Sequence, residues 1–207
     1  MDWELENSLI NEGARENFIC GTDEAGRGPL AGDVYAAAVI LPHGIEIEGL
    51  FDSKILSPKR REQLYEVIVE NALAYAVASA NINEIDKLNI LNASLKAMRR
   101  AVDNLKITPD YILIDGHIVR GFDDLNAQGI MTKGVIKGDA ISPNIAAASI
   151  LAKVERDRYM RELAEMYPFY KFEKNKGYPT REHVERLIAF GKSPAHRESF
   201  LKNILPE

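Results

Sequence analysis

The most restrictive feature of this sequence is the stretch GTDEAGRGPLAG at residues 21–32, which separates two apolar runs. Residues 17–22 are short, apolar and partly β-branched, and residues 34–41 (VYAAAVIL) are apolar almost throughout. These patterns predict two strands, the second of them buried on both faces of a sheet. The glycine-rich connection predicts a hairpin with a loop longer than the shortest ones, beginning with two adjacent acids, Asp23 and Glu24.

Later segments predict helices and further strands. Ser57 and Pro58 suit the N-cap and first position of a helix that runs through residues 61–72. Apolar residues three and four apart predict a long helix over residues 85–105. Further strands are predicted at 73–80, 111–114 and 130–136, and further helices at 143–167, 181–190 and 197–204. Early strands followed by helices interleaved with strands indicate an α/β domain with a mixed central sheet.

Composition limits the class of protein. Hydrophobic residues make up 46% and charged residues 28% of the 207 residues, which is ordinary for one globular domain. No apolar run approaches the ~18 residues that a membrane helix needs. The acidic start MDWELENSLINE lacks the apolar region of a secretory signal, and Cys20 is the only cysteine, so an internal disulfide is excluded. These features predict a cytoplasmic protein without membrane contact.

The charge of the chain is unevenly distributed. A net charge of −5 argues against indiscriminate binding of nucleic acid. Residues 168–203, however, contain eight Lys or Arg and only four Asp or Glu. This basic segment fits a focused phosphate-binding surface, and it also fits a solvated helical face with surplus lysines.

Four acids stand close to predicted element ends. Asp23 and Glu24 end the first strand, Asp115 follows the apolar run YILI, and Asp139 comes just before a long helix. If they converge, their charges repel unless a cation lies among them, and carboxylate-only sites suit Mg²⁺ or Mn²⁺. Two such ions ~4 Å apart can activate a water and stabilise the leaving oxygen in phosphodiester hydrolysis. A solvated pair, a turn and an N-cap would explain the same acids, so the residues alone leave both interpretations open.

Longer segments of the chain resemble ribonuclease HII, the bacterial type 2 ribonuclease H, in order over nearly the whole length. The matching segments are GTDEAGRGPLAG (21–32), AAAVIL (36–41), DSKILSPKRREQLY (52–65), ILIDG (112–116), KGDAISPNIAAASILAKVERDRYM (137–160), KGYPTREH (176–183) and SPAHRESF (193–200). The resemblance implies an RNase H-like fold in one domain over residues 1–207, with residues from about 168 to 207 as a helical substrate-binding segment. It also implies cleavage of RNA in RNA–DNA hybrids and incision 5′ to ribonucleotides embedded in duplex DNA. Both reactions would depend on Mg²⁺ or Mn²⁺ and leave a 3′-hydroxyl and a 5′-phosphate.

The resemblance assigns roles to particular residues. The four catalytic, metal-binding acids of the family fall on Asp23, Glu24, Asp115 and Asp139. Its ribose-reading element falls on Gly26, Arg27 and Gly28, and its sugar-stacking tyrosine falls on Tyr178. Recognition of RNA requires contact with the 2′-hydroxyl, and an aromatic face stacks on a nucleotide without base specificity. Candidates for phosphate contact or support of the site are Lys54, Lys153, Lys176, His183, His196 and Arg197.

Some features separate alternatives within and beyond this family. The 22 residues before Asp23, together with Arg27, favour ribonuclease HII over its sister ribonuclease HIII, which has an extra N-terminal domain and usually lysine at that position. Asn144 stands where the family commonly has serine, which predicts an altered hydrogen bond near a helix start. Glu198 adds an acid to a segment that is often more basic. For Lys153, a structural ion pair with an acid is an open alternative.

Two other functions, a non-catalytic binding module and a phosphatase, fit the sequence less well. A non-catalytic RNA–DNA hybrid-binding module on the same fold would be expected to lack one or more of the four acids, and all are present. A phosphatase for small phosphoesters would have little use for Arg27, Tyr178 and the basic C-terminal segment. The expected partners are RNA–DNA hybrids and duplex DNA containing ribonucleotides, bound by a monomer. The terminal sequence FLKNILPE contains no clear sliding-clamp motif.

Overall fold

A five-stranded mixed sheet forms the centre of the protein in the computed structural model, which describes residues 3–52, 56–202 and 204. The strands are β1 (Ile19–Ala25), β2 (Val34–Ile40), β3 (Ala74–Ala80), β4 (Tyr111–Asp115) and β5 (Met131–Val135). Their order across the sheet is β3-β2-β1-β4-β5. β2 is antiparallel to both β1 and β3, whereas β4 is parallel to both β1 and β5. The mixed α/β architecture predicted from the sequence is therefore confirmed.

Helices cover both faces of the sheet. The helices in the described part of the chain are α1 (Glu4–Asn11), α2 (Pro58–Asn71), α3 (Ile82–Leu88), α4 (Ile90–Asp103), α5 (Asp123–Ala127), α6 (Pro143–Met166), α7 (Phe172–Asn175), α8 (Arg181–Phe190) and α9 (Glu198–Leu201). No helix in the described part of the chain is both long enough and apolar enough to cross a membrane.

The strand β2, which lies between β3 and β1, is buried on both sides, as its continuous apolar sequence predicts. Ala36, Ala38 and Ile40 belong to a core shared with α4, whereas Ala37 and Val39 belong to a core shared with α2 and α6. Alternate residues of a strand point to opposite faces of the sheet, so β2 contributes to both cores. Because Ala36, Ala37 and Ala38 are small, helices can pack closely on each face. This packing makes the sheet a rigid support for side chains at its edge.

Three sequence predictions need correction. The helix expected over 85–105 is two helices, because Asn89 adopts a left-handed φ of 69° and its side chain caps α4 by accepting a hydrogen bond from the amide of Asn92. The first strand extends to Ala25, three residues beyond the predicted end, because it pairs with β2 through Asp23 and Glu24. The helix expected over 197–204 is only α9.

The C-terminal segment packs against the far half of α6. Its core contains Leu30, Met160, Phe172 and Leu187, together with neighbouring apolar residues. The amide of Leu30 donates to the carbonyl of Gly177 at 2.8 Å, so the glycine-rich loop after β1 is joined directly to the segment that carries Tyr178.

The N-terminal helix is tied to the start of α6 by a buried acid. Glu6 is 1% exposed, and its Oε1 accepts from the hydroxyl of Ser142 at 2.5 Å and from the side-chain amide of Asn144 at 3.1 Å. The side-chain Oδ1 of Asn144 accepts from the main-chain amide of Leu41 at 2.8 Å. The asparagine expected to alter a hydrogen bond near a helix start therefore links α1 and the end of β2 to α6.

Candidate active site

The strand pairing brings three of the four predicted acids to one edge of the sheet. Thr22 of β1 pairs with Ile114 of β4 in parallel, so Asp23 and Asp115 follow in neighbouring positions. The Oδ1 atom of Asp115 accepts a hydrogen bond of 2.7 Å from the amide of Gly138. This bond fixes the short 3-10 helix of residues 138–140, which carries Asp139, beside the end of β4.

Gly138 is required by this close approach. A Cβ at that position would lie 2.5 Å from Cδ1 of Ile145 and 3.2 Å from Oδ1 of Asp115. The glycine before Asp139 thus lets the loop lie between β4 and the start of α6.

Burial and mutual repulsion dominate the electrostatics of the acids. Asp23 is 6% exposed, and its burial, followed by the charges of Glu24 and Asp115, raises its pKa well above the ordinary value. Burial also raises the pKa of Glu24, while Arg27 opposes the shift from a guanidinium nitrogen 3.2 Å from Oε1. The side chain of Ser149 on α6 bonds to Asp23 and partly offsets the cost of its charge. Such a group of buried oxygens favours either shared protons or a cation.

The acids do not form a closed ligand cage. Among the residues that the structure describes, no group of three or more His, Cys, Asp or Glu side chains is arranged to hold a metal ion. The chemistry of the donors still fits a hard divalent cation, since they are carboxylates with no nitrogen or sulfur among them. Asp139 is 7% exposed on its 3-10 helix. Its membership of a four-acid metal site stays a prediction.

A cavity of about 380 Å³ opens beside the acids. Its walls include Glu24, the loop Gly26–Gly28, Tyr178, and the side chains of Arg61, Ser149 and Lys153. Tyr178 is 42% exposed, and a Cβ on Gly28 would lie 3.5 Å from Cε1 of its ring. The glycine-rich loop and Tyr178 therefore line the same cavity, next to Glu24. Sequence similarity alone had linked both of them to the ribose.

The basic side chains of this cavity are held by a buried acid. Nζ of Lys153 lies 2.6 Å from Oδ1 of Asp157, and a guanidinium nitrogen of Arg61 lies 3.7 Å from Oδ2. The structural ion pair considered for Lys153 is thus present, and the side chain also lines the cavity. Lys176 is partly buried next to these groups, and its role in binding phosphate stays a prediction. Lys54 lies outside the described residues.

Two predicted substrate contacts are buried and require correction. Arg197 is 0% exposed and His183 is 0% exposed, so neither side chain can reach a phosphate in this structure. Arg197 donates instead to main-chain carbonyls of the loop after β1, including Gly26 O at 2.7 Å. Of the two roles expected for these residues, support of the site fits the structure and phosphate contact does not.

A pair of neutral histidines fixes the backbone of Tyr178. Nδ1 of His183 lies 2.8 Å from the carbonyl oxygen of Tyr178, and the Nε2 atoms of His183 and His196 are 3.1 Å apart. The amide of Ser193 donates to Nδ1 of His196 at 3.0 Å. His183 must then carry its proton on Nδ1 and His196 on Nε2 for every contact to have a donor. Burial and, second, repulsion from the positive charge that His183 carries when it is protonated lower the pKa of His196 to about 4.

The sequence predicts no role for Ser149 and Arg156 and a structural role for Asp157 in the ERDR run, and all three lie at the site. Ser149, Arg156 and Asp157 lie on α6 together with Lys153, spaced so that they share one side of the helix. The polar residues at these spacings in AAASILAKVERDR were the available signal. The pattern was missed because the run looks like an ordinary amphipathic helix with a solvated face.

Known proteins similar to this chain are ribonucleases HII. The family model described as Ribonuclease HII matches residues 20–203. A ribonuclease HII of Caldicellulosiruptor bescii is 53% identical over 203 residues, covering 98% of this chain and 95% of the relative. One from Marinomonas sp. is 53% identical over 191 residues, covering 91% of this chain and 94% of the relative.

Solved structures of ribonuclease H2 and RNase HII are similar to this chain as well. A ribonuclease H2 from Pyrococcus horikoshii matches with a TM-score of 0.70 and 29% identity, covering 87% of this chain and 92% of that one. An RNase HII from Archaeoglobus fulgidus, solved in complex with PCNA, matches with a TM-score of 0.73 and 28% identity, covering 91% of this chain and 97% of that one.

Proposed function

Because the chain belongs to the ribonuclease HII family and is a ribonuclease H, we propose that it cleaves RNA in RNA–DNA hybrids and incises duplex DNA 5′ to an embedded ribonucleotide. The proposal rests on the position of Glu24. This residue lies next to the acids Asp23 and Asp115, and it also lines the cavity formed by Gly26–Gly28 and Tyr178. A sugar read in that cavity would present its 5′ phosphodiester to the acids.

The acids are proposed to act with divalent cations. Asp23, Glu24, Asp115 and Asp139 would hold Mg²⁺ or Mn²⁺, two ions during the reaction, and the bound ions would activate a water and stabilise the leaving oxygen. Desolvation of Asp23 and Glu24 supports this role, since a buried carboxylate pair gains most from a cation. Water adds to the phosphorus and the bond to O3′ breaks, leaving a 3′-hydroxyl and a 5′-phosphate.

The chain's own residues would choose the sugar. The amides of Arg27 and Gly28 can donate to a ribose 2′-hydroxyl, which a deoxyribose lacks. The exposed ring of Tyr178 would stack on the sugar at the junction, and Arg61 and Lys153 would face the neighbouring phosphates. The ion pairs with Asp157 hold the side chains of Arg61 and Lys153 in place before the substrate binds.

The substrate is proposed to be the main partner. RNA–DNA hybrids and ribonucleotide-containing duplexes fit the basic C-terminal segment, and the protein is expected to act as a cytoplasmic monomer. Residues 205–207 lie outside the described part of the chain, so the sequence prediction that the terminus carries no sliding-clamp motif stays a prediction.

The test is a cleavage map. A duplex with one ribonucleotide, labelled on the 5′ end of that strand, is incubated with metal-free protein to which Mg²⁺, Mn²⁺ or EDTA is added. We expect one cut on the 5′ side of the ribonucleotide, with a product end that a DNA polymerase can extend, and none in EDTA. A cut on the 3′ side, an end that cannot be extended, or equal cleavage in EDTA would contradict the proposal.

A further inference from the structure

We propose that Arg156 and Arg197 are positioning residues for ribose selection, because they bind main-chain carbonyls of the loop of residues 26–33 and turn those of Gly26 and Arg27 away from the substrate cavity. The inference rests on the proposed function and goes beyond it by naming what orients the ribose-reading amides. Neither arginine contacts the cavity itself, since they are 1% and 0% exposed.

Arg197 binds four carbonyls of this loop with one guanidinium group. Nη2 donates to Gly26 O at 2.7 Å, Nη1 donates to Arg27 O at 3.2 Å and to Pro29 O at 2.8 Å, and Nε donates to Gly32 O at 2.8 Å. Its own amide donates to Leu30 O at 2.8 Å. A single residue from the C-terminal segment therefore organises most of the turn between β1 and β2.

Arg156 holds the rest of the loop from the side of α6. Nη2 donates to Ala31 O at 3.2 Å, Nε donates to Asp33 O at 3.1 Å, and Nη1 donates to Lys176 O at 3.1 Å. The last bond ties the loop to the segment just before Tyr178. Gly26 packs directly on this side chain, since a Cβ there would lie 2.0 Å from Nε of Arg156.

The direction of the carbonyls decides the direction of the amides. In a trans peptide the C=O of one residue and the N–H of the next lie in one plane and point in opposite directions. Because the carbonyls of Gly26 and Arg27 point to Arg197, the amides of Arg27 and Gly28 point the other way, to the side on which the loop lines the cavity. The loop thus offers the amides of Arg27 and Gly28 as donors to a ligand, while the carbonyls of Gly26 and Arg27 are bound to Arg197.

A guanidinium suits this task better than an ammonium. It has five N–H donors in a fixed plane, whereas lysine has three donors on a single nitrogen and cannot span four separated carbonyls. Neither arginine forms a salt bridge with an acid among the described residues, so the carbonyl dipoles and the field of Asp33 must offset two buried charges. Burial and, second, the charge of Arg156 lower the pKa of Arg197 to about 9, which leaves it charged at neutral pH.

The test compares binding of two duplexes that differ by one hydroxyl. Dissociation constants are measured by fluorescence anisotropy in EDTA, so that no cleavage occurs, for a duplex with one ribonucleotide and for the all-DNA duplex of the same sequence. The ratio of the two constants reports ribose selection. For Arg197→Lys we expect this ratio to fall by about tenfold, corresponding to the loss of one or two well-aligned hydrogen bonds to the 2′-hydroxyl. Arg156→Lys is expected to lower it less, because it holds the loop farther from Gly26–Gly28.

A stability control separates positioning from general loosening. Leu64→Ala removes a buried side chain from the core between α2 and α6 and destabilises the fold without touching the loop. It is expected to keep the parent's ratio. If folded Arg197→Lys and Arg156→Lys both keep the parent's ratio, or if Leu64→Ala lowers it equally, the inference is wrong. If Arg197→Lys does not fold, the binding ratio of Arg156→Lys alone tests the inference. Failure of the parent to prefer the ribonucleotide duplex would instead contradict the proposed function.

Discussion

The hydroxyl of Ser142 donates a 2.5 Å hydrogen bond to Oε1 of Glu6, and this contact joins the N-terminal helix to the start of α6. The same serine, three residues beyond Asp139 in sequence, caps α6 by accepting a hydrogen bond from the amide of Ile145 at 3.3 Å. Burial is the main cause that raises the pKa of Glu6. The loop of Asp139 is thus supported by an acid that is costly to ionise.

Glu6→Gln should therefore change how stability depends on pH. A carboxyl whose pKa is raised on folding contributes stability that is fully present below its unfolded pKa and is lost as pH rises through the folded value. Relative to Glu6→Gln, the parent should lose stability from about pH 4 upward, by up to about 1.4 kcal/mol per pH unit. Urea unfolding at a series of pH values checks this, and parallel curves for the two proteins would contradict it.

The histidine pair should act in the opposite direction. A histidine whose pKa is lowered on folding contributes stability above its unfolded pKa, and this stability is lost as pH falls through the folded value. The pKa of His196 is lowered to about 4, so the loss should occur between about pH 6.5 and pH 4. His196→Gln should flatten the unfolding free energy in this window. An equally steep curve in the variant would show that the pair does not titrate as described.

Asp23→Asn should abolish activity and keep the fold. Loss of even an outer partner of a metal ligand costs roughly 10–100-fold, so loss of a proposed ligand should cost more than about 100-fold. Because burial and like charges raise the pKa of Asp23, its removal should not lower stability at neutral pH. Single-turnover cleavage and urea unfolding measure the two effects. An active variant, or one that is clearly destabilised at pH 7, would contradict this account of the acids.

Gly26→Ala should be far more damaging than an alanine at another left-handed glycine. Gly26 has a φ of +103°, and a Cβ there would collide with Arg156. Gly13 has a φ of +111° and nothing within 4 Å of its Cβ position, so Gly13→Ala isolates the backbone cost. We expect Gly26→Ala alone to lose preference for the ribonucleotide duplex. Equal binding ratios in the two variants would show that the contact with Arg156 is unimportant.

Tyr178→Ala should weaken cleavage, whereas Tyr178→Phe should not. Stacking of a base or sugar on an aromatic ring contributes about 1–3 kcal/mol, so the alanine variant should lose roughly 10- to 100-fold in kcat/KM. Phenylalanine retains the ring that faces Gly28. Steady-state kinetics on the single-ribonucleotide duplex distinguish the two. A phenylalanine variant as poor as the alanine variant would assign the role to the hydroxyl instead.

Much of the fold follows from local pattern. The run VYAAAVIL predicted a strand buried on both faces, and Ser57 caps α2 as expected by accepting from the amide of Arg60 at 3.2 Å. The break at Asn89 was missed because the apolar spacing continues through it, and only the left-handed backbone of one asparagine separates α3 from α4. The N-terminal helix was missed because its anchor, Glu6, is an acid that pattern analysis assigns to the surface.

The acids of the site could be predicted from the sequence, whereas the buried residues that hold its loop could not. Strand ends and sequence similarity pointed to Asp23 and Asp115, which the sheet register brings together. Arg197 was a candidate for phosphate contact or for support of the site, and its full burial, which is unusual for arginine, leaves only the second role. Its actual position depends on many main-chain carbonyls that converge only after the loop and the C-terminal segment have packed together, and no local pattern encodes that convergence.

The most direct test of the central claim is the single-turnover cleavage rate of the unaltered protein on two duplexes that are identical except for one 2′-hydroxyl. With Mg²⁺ present, the ribonucleotide duplex should be cut on the 5′ side of that residue, and the all-DNA duplex should remain intact over the same period. Cleavage of both duplexes at the same rate would contradict the claim that a ribose-reading loop and the acids of β1 and β4 form one site.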